Sequence, residues 1–492
     1  MPPSSALSDK QVASLCKSLA AIAGAKNVLP RSPETWAKFR GDESWLTYIH
    51  AKHGKPLNRP DAVVTVRTTE EVAKVIQLGN KLGVPVTPVG GASGVQGAAN
   101  ANRGGIQVNL REMKKIRHLD KKSLTCTVEP GYIVKTFEED LNKKGLTFTH
   151  FPASAEWASV GGSIAARGSG VLSTKYGNIQ DHVLSCEVVL PTGDILQLPS
   201  VPKHGVGPEL TQLFVGSEGT LGIITASTVK LRNVPAKREF RVFSFKTVEA
   251  GVEAGRQIMV SGLRPAVMRF YDKDAATKSL EKAVEAGLNG PTMVMMFDGD
   301  HAELIDLEAN LASALCAKNG GVKLDNEIGV RWWNHRYTFY HPPYAPQLPQ
   351  MWCTMDVVSD YEHAMPMYNK VTKAMKSAIP AKWGFHLKTH FSHWYDWGTM
   401  IYPRWGVPVG PDSLKESLKL HDAIIRAATL AALDAGAVIN DHHGVGMRLQ
   451  PYLKDQFGST GMKLMRAIKK AADPKNILCP GKLALENDKW PY

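Results

Sequence analysis

Apolar positions recur along the chain with two periods. Short apolar runs predict strands at residues 62–66, 84–88, 106–110 and 125–128. Helical spacing predicts a helix behind Thr68-Thr69-Glu70-Glu71, a capping box, with Val72, Val75, Ile76 and Leu78 facing inward. Residues 134–144 repeat that period. Strands alternating with helices give residues 55–150 an α/β pattern. Past residue 150 glycine and serine become dense and the strands short, at 183–190, 195–198 and 222–231. Pro191-Thr192-Gly193-Asp194 predicts a hairpin between the first two. A boundary falls near Asn233-Val234-Pro235. From Phe240 a fresh pattern begins, with strands at 242–245, 266–270 and 292–297 and helices at 248–262 and 302–317. A long helix over 418–436 and a last one over 461–472 follow. The expected organisation is a helical segment (1–54), a first domain (55–235), a second domain (236–435) and a C-terminal segment (436–492).

Composition narrows the class. The chain has 492 residues, is 43% hydrophobic and 21% charged, and carries a formal charge of +13. That excludes a disordered chain and leaves room for sizeable cores. No run of about 18 uncharged apolar residues predicts a transmembrane segment. The basic clusters are short, so no nucleic-acid arm is expected. A phosphorylated cofactor or a carboxylate substrate would use the surplus charge. Six cysteines without C-x-x-C spacing suit a reducing compartment. No signal peptide is read in MPPSSALSDKQVASL, and a cytoplasmic location is expected.

Three glycine loops carry the chemistry of the first half. Pro88-Val89-Gly90-Gly91-Ala92-Ser93-Gly94 follows a strand and can aim successive N–H groups at a phosphate. It is neither G-x-G-x-x-G nor a P-loop. The second runs from Val160-Gly161-Gly162-Ser163 to Arg167-Gly168-Ser169-Gly170 and Tyr176-Gly177-Asn178. The third is Gly216-Ser217-Glu218-Gly219-Thr220-Leu221-Gly222-Ile223-Ile224-Thr225. Together they predict one extended cofactor wrapped by backbone.

The order PVGGASG, VEPG, SVGGSIAARGSG, YGN, GSEGTLGIIT resembles the FAD-binding domain of the vanillyl-alcohol-oxidase/para-cresol-methylhydroxylase superfamily. Asp473-Pro474-Lys475-Asn476-Ile477 and Pro480-Gly481-Lys482 resemble that family's ending. The resemblance implies an α+β fold: a two-subdomain FAD-binding domain over 55–235, an α/β substrate (cap) domain over 236–435, and a C-terminal segment returning to complete the site. It implies FAD between the two subdomains, with Pro88, Val89, Gly90, Gly91, Ala92, Ser93 and Gly94 at the pyrophosphate. Ser159, Val160, Gly161, Gly162, Arg167, Gly168, Ser169, Gly170, Tyr176, Asn178, Glu218, Gly219, Gly222, Ile223 and Ile224 would lie along the rest. The pyrophosphate loop has no histidine and none stands at Trp397-Gly398, so dissociable FAD is expected. A homodimer is also expected.

Within the superfamily the motifs are most similar to alkylglycerone-phosphate synthases and D-lactate/glycolate-type flavoenzymes. The stretch 395–402 resembles the synthase segment carrying its active-site tyrosine, which maps to Tyr402. Asp441-His442-His443-Gly444-Val445-Gly446 resembles its histidine run, with Asp441 replacing the first histidine. Hydride transfer to flavin needs a base for the hydroxyl proton, and Tyr402, His442 or His443 could serve. Arg331 and Arg336 are candidate substrate or catalytic cations, with surface ion pairing as the alternative. His341 is the candidate in place of the synthase's cap arginine. Tyr395 and Asp441 are further substrate candidates.

His386, His390 and His393 alternate with apolar residues like a strand, which would put His386 and His390 on one face and His393 on the other. No metal is expected, and the metal-binding G-H-x-G-D-G-N-x-H run of D-2-hydroxyacid dehydrogenases is absent. Trp332, Trp333, Trp352, Trp383, Trp394, Trp397 and Trp405 crowd one region. They suggest a large core or an aromatic-walled pocket. The expected activity is FAD-dependent oxidation of a bulky, aromatic or otherwise hydroxylated small molecule, with oxygen or another acceptor. The alternatives are a synthase-like transfer through a flavin adduct, or D-2-hydroxyacid dehydrogenation.

Overall fold

The computed structural model describes residues 7–201, 204–280, 290–336 and 348–486. The first half builds two sheets. One runs Val28–Pro30, Ala62–Thr65, Ile106–Asn109, Val86–Val89, with the first pairing antiparallel and the other two parallel. The helix Thr69–Leu82 makes the crossover, capped by the Thr68 hydroxyl accepting from the Glu71 N–H. Its buried face is Val72, Ala73, Val75 and Ile76. The other sheet is antiparallel: Ile116–Asp120, Thr125–Val128, Ile223–Lys230, Val183–Val189, Ile195–Gln197. The last two strands are joined through the Pro191–Asp194 turn.

The second half builds one large antiparallel sheet. Its order is Val322–Lys323, Lys237–Ser244, Thr292–Gly299, Val267–Tyr271, His386–Trp394, Gly398–Val407, Met351–Thr354, with Val357–Asp360 also paired to Gly398–Val407. The helices Val248–Val260, Ala302–Lys318, Tyr361–Ser377 and Leu414–Asp434 bury one face, in a core with Phe243, Phe270, Met293, Met295, Phe391 and Ile401.

The unbroken apolar run of Thr292–Gly299 follows from its position. Met293, Met295 and Phe297 face those helices. Val294 and Met296 face the other way, toward Phe151, Val171 and Leu172 of the first half. A strand buried on both faces has no polar side to alternate with.

The chain then returns to the first half. The helix Leu453–Ala472 begins before the expected 461 and is broken at Gly458, whose φ is +66°. Beyond it, Leu478 bridges Val86 in parallel, and Cys479 N–H donates to the Val86 carbonyl at 3.0 Å. The tail thus adds to the edge of the parallel sheet, behind the first glycine loop.

Candidate active site

The hairpin of His386–Trp394 and Gly398–Val407 pairs His390 with Tyr402 and Lys388 with Arg404. Alternation sends these four side chains to one face, with Arg269 and Tyr271 from the adjoining strand. That face and the glycine loops enclose one cavity of about 480 Å³. His393 lines it too, contrary to strict alternation. The register shifts between Phe391 and Trp394, and this irregularity turns Ser392 and His393 to the same side.

Two carboxylates hold the histidines. Asp356 accepts from His443 Nδ1 at 2.7 Å and from the backbone N–H groups of Asp441, His442 and His443 at 3.1, 2.7 and 2.9 Å. Burial alone would raise its carboxyl. The His443 and His442 imidazoles override that and hold it below the usual range. With Nδ1–H committed to Asp356, His443 Nε2 carries its lone pair, and the Tyr402 hydroxyl donates to it at 3.2 Å. Burial raises the Tyr402 phenol, so it stays protonated at neutral pH.

Asp441 accepts from His393 Nδ1 at 2.7 Å and His442 Nδ1 at 2.8 Å through one oxygen, and from the Tyr395 hydroxyl at 2.7 Å through the other. Asn178 Nδ2 donates to the Tyr395 oxygen at 3.0 Å. Burial opposes ionisation of Asp441, yet the paired imidazoles hold it far below the ordinary range. His442 itself is pushed down to about 4, by burial and then by His443.

The cavity has the features of a dinucleotide cradle. Each glycine loop holds one non-glycine residue in the left-handed region: Ala92 (φ +53°), Arg167 (+57°) and Glu218 (+50°). Such strain gathers where backbone must face a ligand. A Cβ at Gly91 would lie 2.0 Å from the Trp157 carbonyl, so only glycine lets the first loop close on the second. The Ser169 hydroxyl and both His150 nitrogens are buried at the cavity wall without a protein partner, so a bound cofactor has groups to meet.

Of the residues read from the sequence, Pro88 to Gly94, Ser159, Gly161, Gly162, Gly168, Ser169, Gly170, Glu218, Gly219, Gly222, Ile223, Ile224, Tyr402, His442 and His443 all line this cavity. Others stand behind or away from it. Val160 packs in the core of the antiparallel sheet. Arg167 packs beside Gly216. The Tyr176 hydroxyl donates to Asp298 at 2.6 Å, joining the two halves. Asn178, Tyr395 and Asp441 form the chain of hydrogen bonds behind His442.

Arg331 and Arg336 are not brought to the cavity. Arg331 lies on the outer side of the helix Glu327–Asn334 beside Glu327, and Arg336 stacks on Trp333 at 3.8 Å. The arginines of the cavity are Arg269 and Arg404 instead. His341 falls outside the described residues. Reasoning from sequence missed Arg269, Lys388, Arg404 and Asp356; the first three were legible only as alternate positions of strands. Among the described residues, two groups could geometrically hold a cation: Asp356, His442 and His443, and His393, Asp441 and His442. Every Nδ1 that faces those carboxylates is already bonded to them.

A cavity walled by glycine loops on one side and by an antiparallel sheet bearing histidine and tyrosine on the other defines a two-domain flavoprotein. Residues 60–199 match the family model for an FAD binding domain, and residues 234–483 match that for the C-terminal domain of FAD linked oxidases. The chain belongs to this FAD-linked oxidase family and is an FAD-dependent oxidoreductase. It is 28% identical over 468 residues to an alkyldihydroxyacetonephosphate synthase of Caenorhabditis elegans, covering 88% of this chain and 78% of the relative. It is 29% identical over 444 residues to a mitochondrial D-lactate dehydrogenase [cytochrome] of Arabidopsis thaliana, covering 88% and 76%. In fold it is similar to p-cresol methylhydroxylase, with a TM-score of 0.78 over 98% of this chain and 99% of that one at 20% identity. Among the described residues no helix is long and apolar enough to cross a membrane.

Proposed function

We propose that this chain oxidises the carbinol carbon of a small hydroxylated anion, a carboxylate or a phosphate ester. One observation carries the reading: Arg269, Lys388 and Arg404 share a cavity face with Tyr402 and His390. Three cations on one wall suit an anionic group better than a bulky aromatic one. Trp352 and Trp405 line the cavity, while other tryptophans of this region serve packing. Trp394 is fully buried, Trp332 donates its indole N–H to the Tyr271 hydroxyl at 2.8 Å, and Trp397 stacks outside on Tyr395.

FAD, when bound, supplies the two-electron acceptor. Pro88 to Gly94 would hold its pyrophosphate, and the second and third loops the remainder. Arg269, Lys388 and Arg404 fix the anionic end of the substrate. His443 Nε2 takes the hydroxyl proton, with Tyr402 positioned to relay it. Asp356 keeps the imidazole in that tautomer and steadies the imidazolium it becomes. His442, neutral and held by Asp441, completes the wall. No covalent link is invoked, so acid-precipitated protein should leave its flavin in the supernatant.

The test is anaerobic mixing with a panel of 2-hydroxy acids, hydroxylated phosphate esters and neutral aromatic alcohols. Bleaching of the oxidised flavin by members of the anionic sets alone is expected. Bleaching by neutral aromatic alcohols alone overturns the reading. A synthase-like transfer is the second reading, favoured by the same cationic wall, which suits a phosphate equally. It predicts product formation with no acceptor consumed.

A further inference from the structure

Lysine is almost never fully buried without a partner of opposite charge. Lys482, in the terminal Pro480-Gly481-Lys482 turn, is 1% exposed. Its ammonium donates to the Gly97 carbonyl at 2.7 Å, just beyond the first glycine loop. Two buried carboxylates flank the same stretch of backbone, Asp42 at Gly97 and Glu218 through Gly446, where a Cβ would lie 2.2 Å from the Gln96 carbonyl. Asp42 accepts from the Gly97 N–H at 2.7 Å, and Glu218 accepts from the Val445 and Gly446 N–H groups at 2.6 and 3.0 Å. Both line the cavity.

We infer that Lys482 is the positioning cation of the cofactor cradle, offsetting Asp42 and Glu218 so that a doubly charged pyrophosphate can enter beside them. The chemistry requires such a group. A dinucleotide brings two negative charges to a loop already flanked by two carboxylates, and repulsion inside a buried site is costly. Arg111 braces the other end of the loop, donating to the Gly90 and Gly91 carbonyls at 2.8 and 2.9 Å. The Gly91 N–H is held by the Ser159 hydroxyl at 3.2 Å, and cations drawn to the carbonyl side leave the N–H groups of the cavity-lining Ala92 and Ala98 for the phosphates.

Burial pushes Asp42 up to about 6 and Glu218 up to about 7, while Lys482 lowers both. Burial brings Lys482 down to about 8. Among the other charged groups nearby, buried Arg448 donates to the Gln96 side chain at 2.6 Å and the Thr354 carbonyl at 2.7 Å, and Arg103, beside Gly481, pairs with Glu486 at 3.3 Å. Lys469 is paired with Asp473 at 2.6 Å, Cys479 is a thiol pushed up to about 11, and Glu43 pairs with Arg40.

FAD affinity of the apoprotein, read by quenching of flavin fluorescence, tests this without any turnover. Lys482→Met should weaken binding roughly tenfold or more at pH 7.5, and much less at pH 6, where protons on Asp42 and Glu218 replace the lysine's charge. Adding Glu218→Gln to Lys482→Met should recover most of the loss at pH 7.5. An equal deficit at both pH values, or none, or no recovery in the double variant, overturns the assignment. Glu218→Gln alone, with the lysine intact, should flatten the fall of FAD affinity between pH 6 and 8. An unchanged slope there overturns it too, even if Lys482→Met fails to fold.

Discussion

Asp356 accepts five hydrogen bonds on its two oxygens, from three backbone N–H groups, the His443 ring and the Asn440 amide at 3.2 Å. It therefore sets both where the 441–443 loop sits and which nitrogen of His443 is free. Asp356→Asn should lower kcat by roughly a hundredfold, because an amide can present N–H to the ring and favour the wrong tautomer. KM should change little, and single-turnover flavin reduction measures it. Arg404→Leu should do the reverse. It should raise KM for an anionic substrate by roughly tenfold to a hundredfold, as expected for the loss of a charge-assisted contact, with the flavin spectrum unaltered. The histidine pair and Tyr402 were legible as a motif. Asp356 was not, because a lone aspartate between two strands has no local signature; its role comes from residues more than eighty positions later.

At the scale of elements, periodicity found most strands of the first half, but in the second it left unread Met351–Thr354, Val357–Asp360, Gly398–Val407 and the helix Tyr361–Ser377. It failed where tertiary packing overrides it. The irregularity near Phe391 places His393 beside His390, and no alternation rule anticipates a shift in register. The helix Val248–Val260 shows a second kind of hidden constraint. A Cβ at Gly255 would lie 2.4 Å from the Trp394 ring, and one at Gly251 would lie 2.1 Å from Phe270. These glycines, poor helix formers, let the helix settle directly on the sheet. Gly255→Ala should therefore destabilise the protein by about 1–3 kcal/mol through overpacking, despite alanine's better helix propensity. Denaturant unfolding decides it; a gain in stability would mean Trp394 can shift at little cost.

Across the whole molecule, buried acids couple folding to pH. Glu218 in the folded chain titrates at about 7 against an ordinary 4.5. A raised acid binds its proton more tightly folded than unfolded, so its contribution is complete below pH 4.5 and is lost as pH rises toward 7 and beyond. The apoprotein should lose up to about 3 kcal/mol on this account across that window, and Glu218→Gln should lessen the pH dependence of its thermal unfolding. The division into a glycine-loop half and a strand-rich half could be read along the chain. What the chain order conceals is how the tail closes the first half: Leu478 on the edge of the parallel sheet, and Lys482 on Gly97. A ribosome making this protein exposes all three glycine loops long before it adds the segment that braces them. Capture of the yellow cofactor is therefore a late event in the life of each newly made chain, and a message cut short anywhere within the strand-rich half should yield polypeptide without colour.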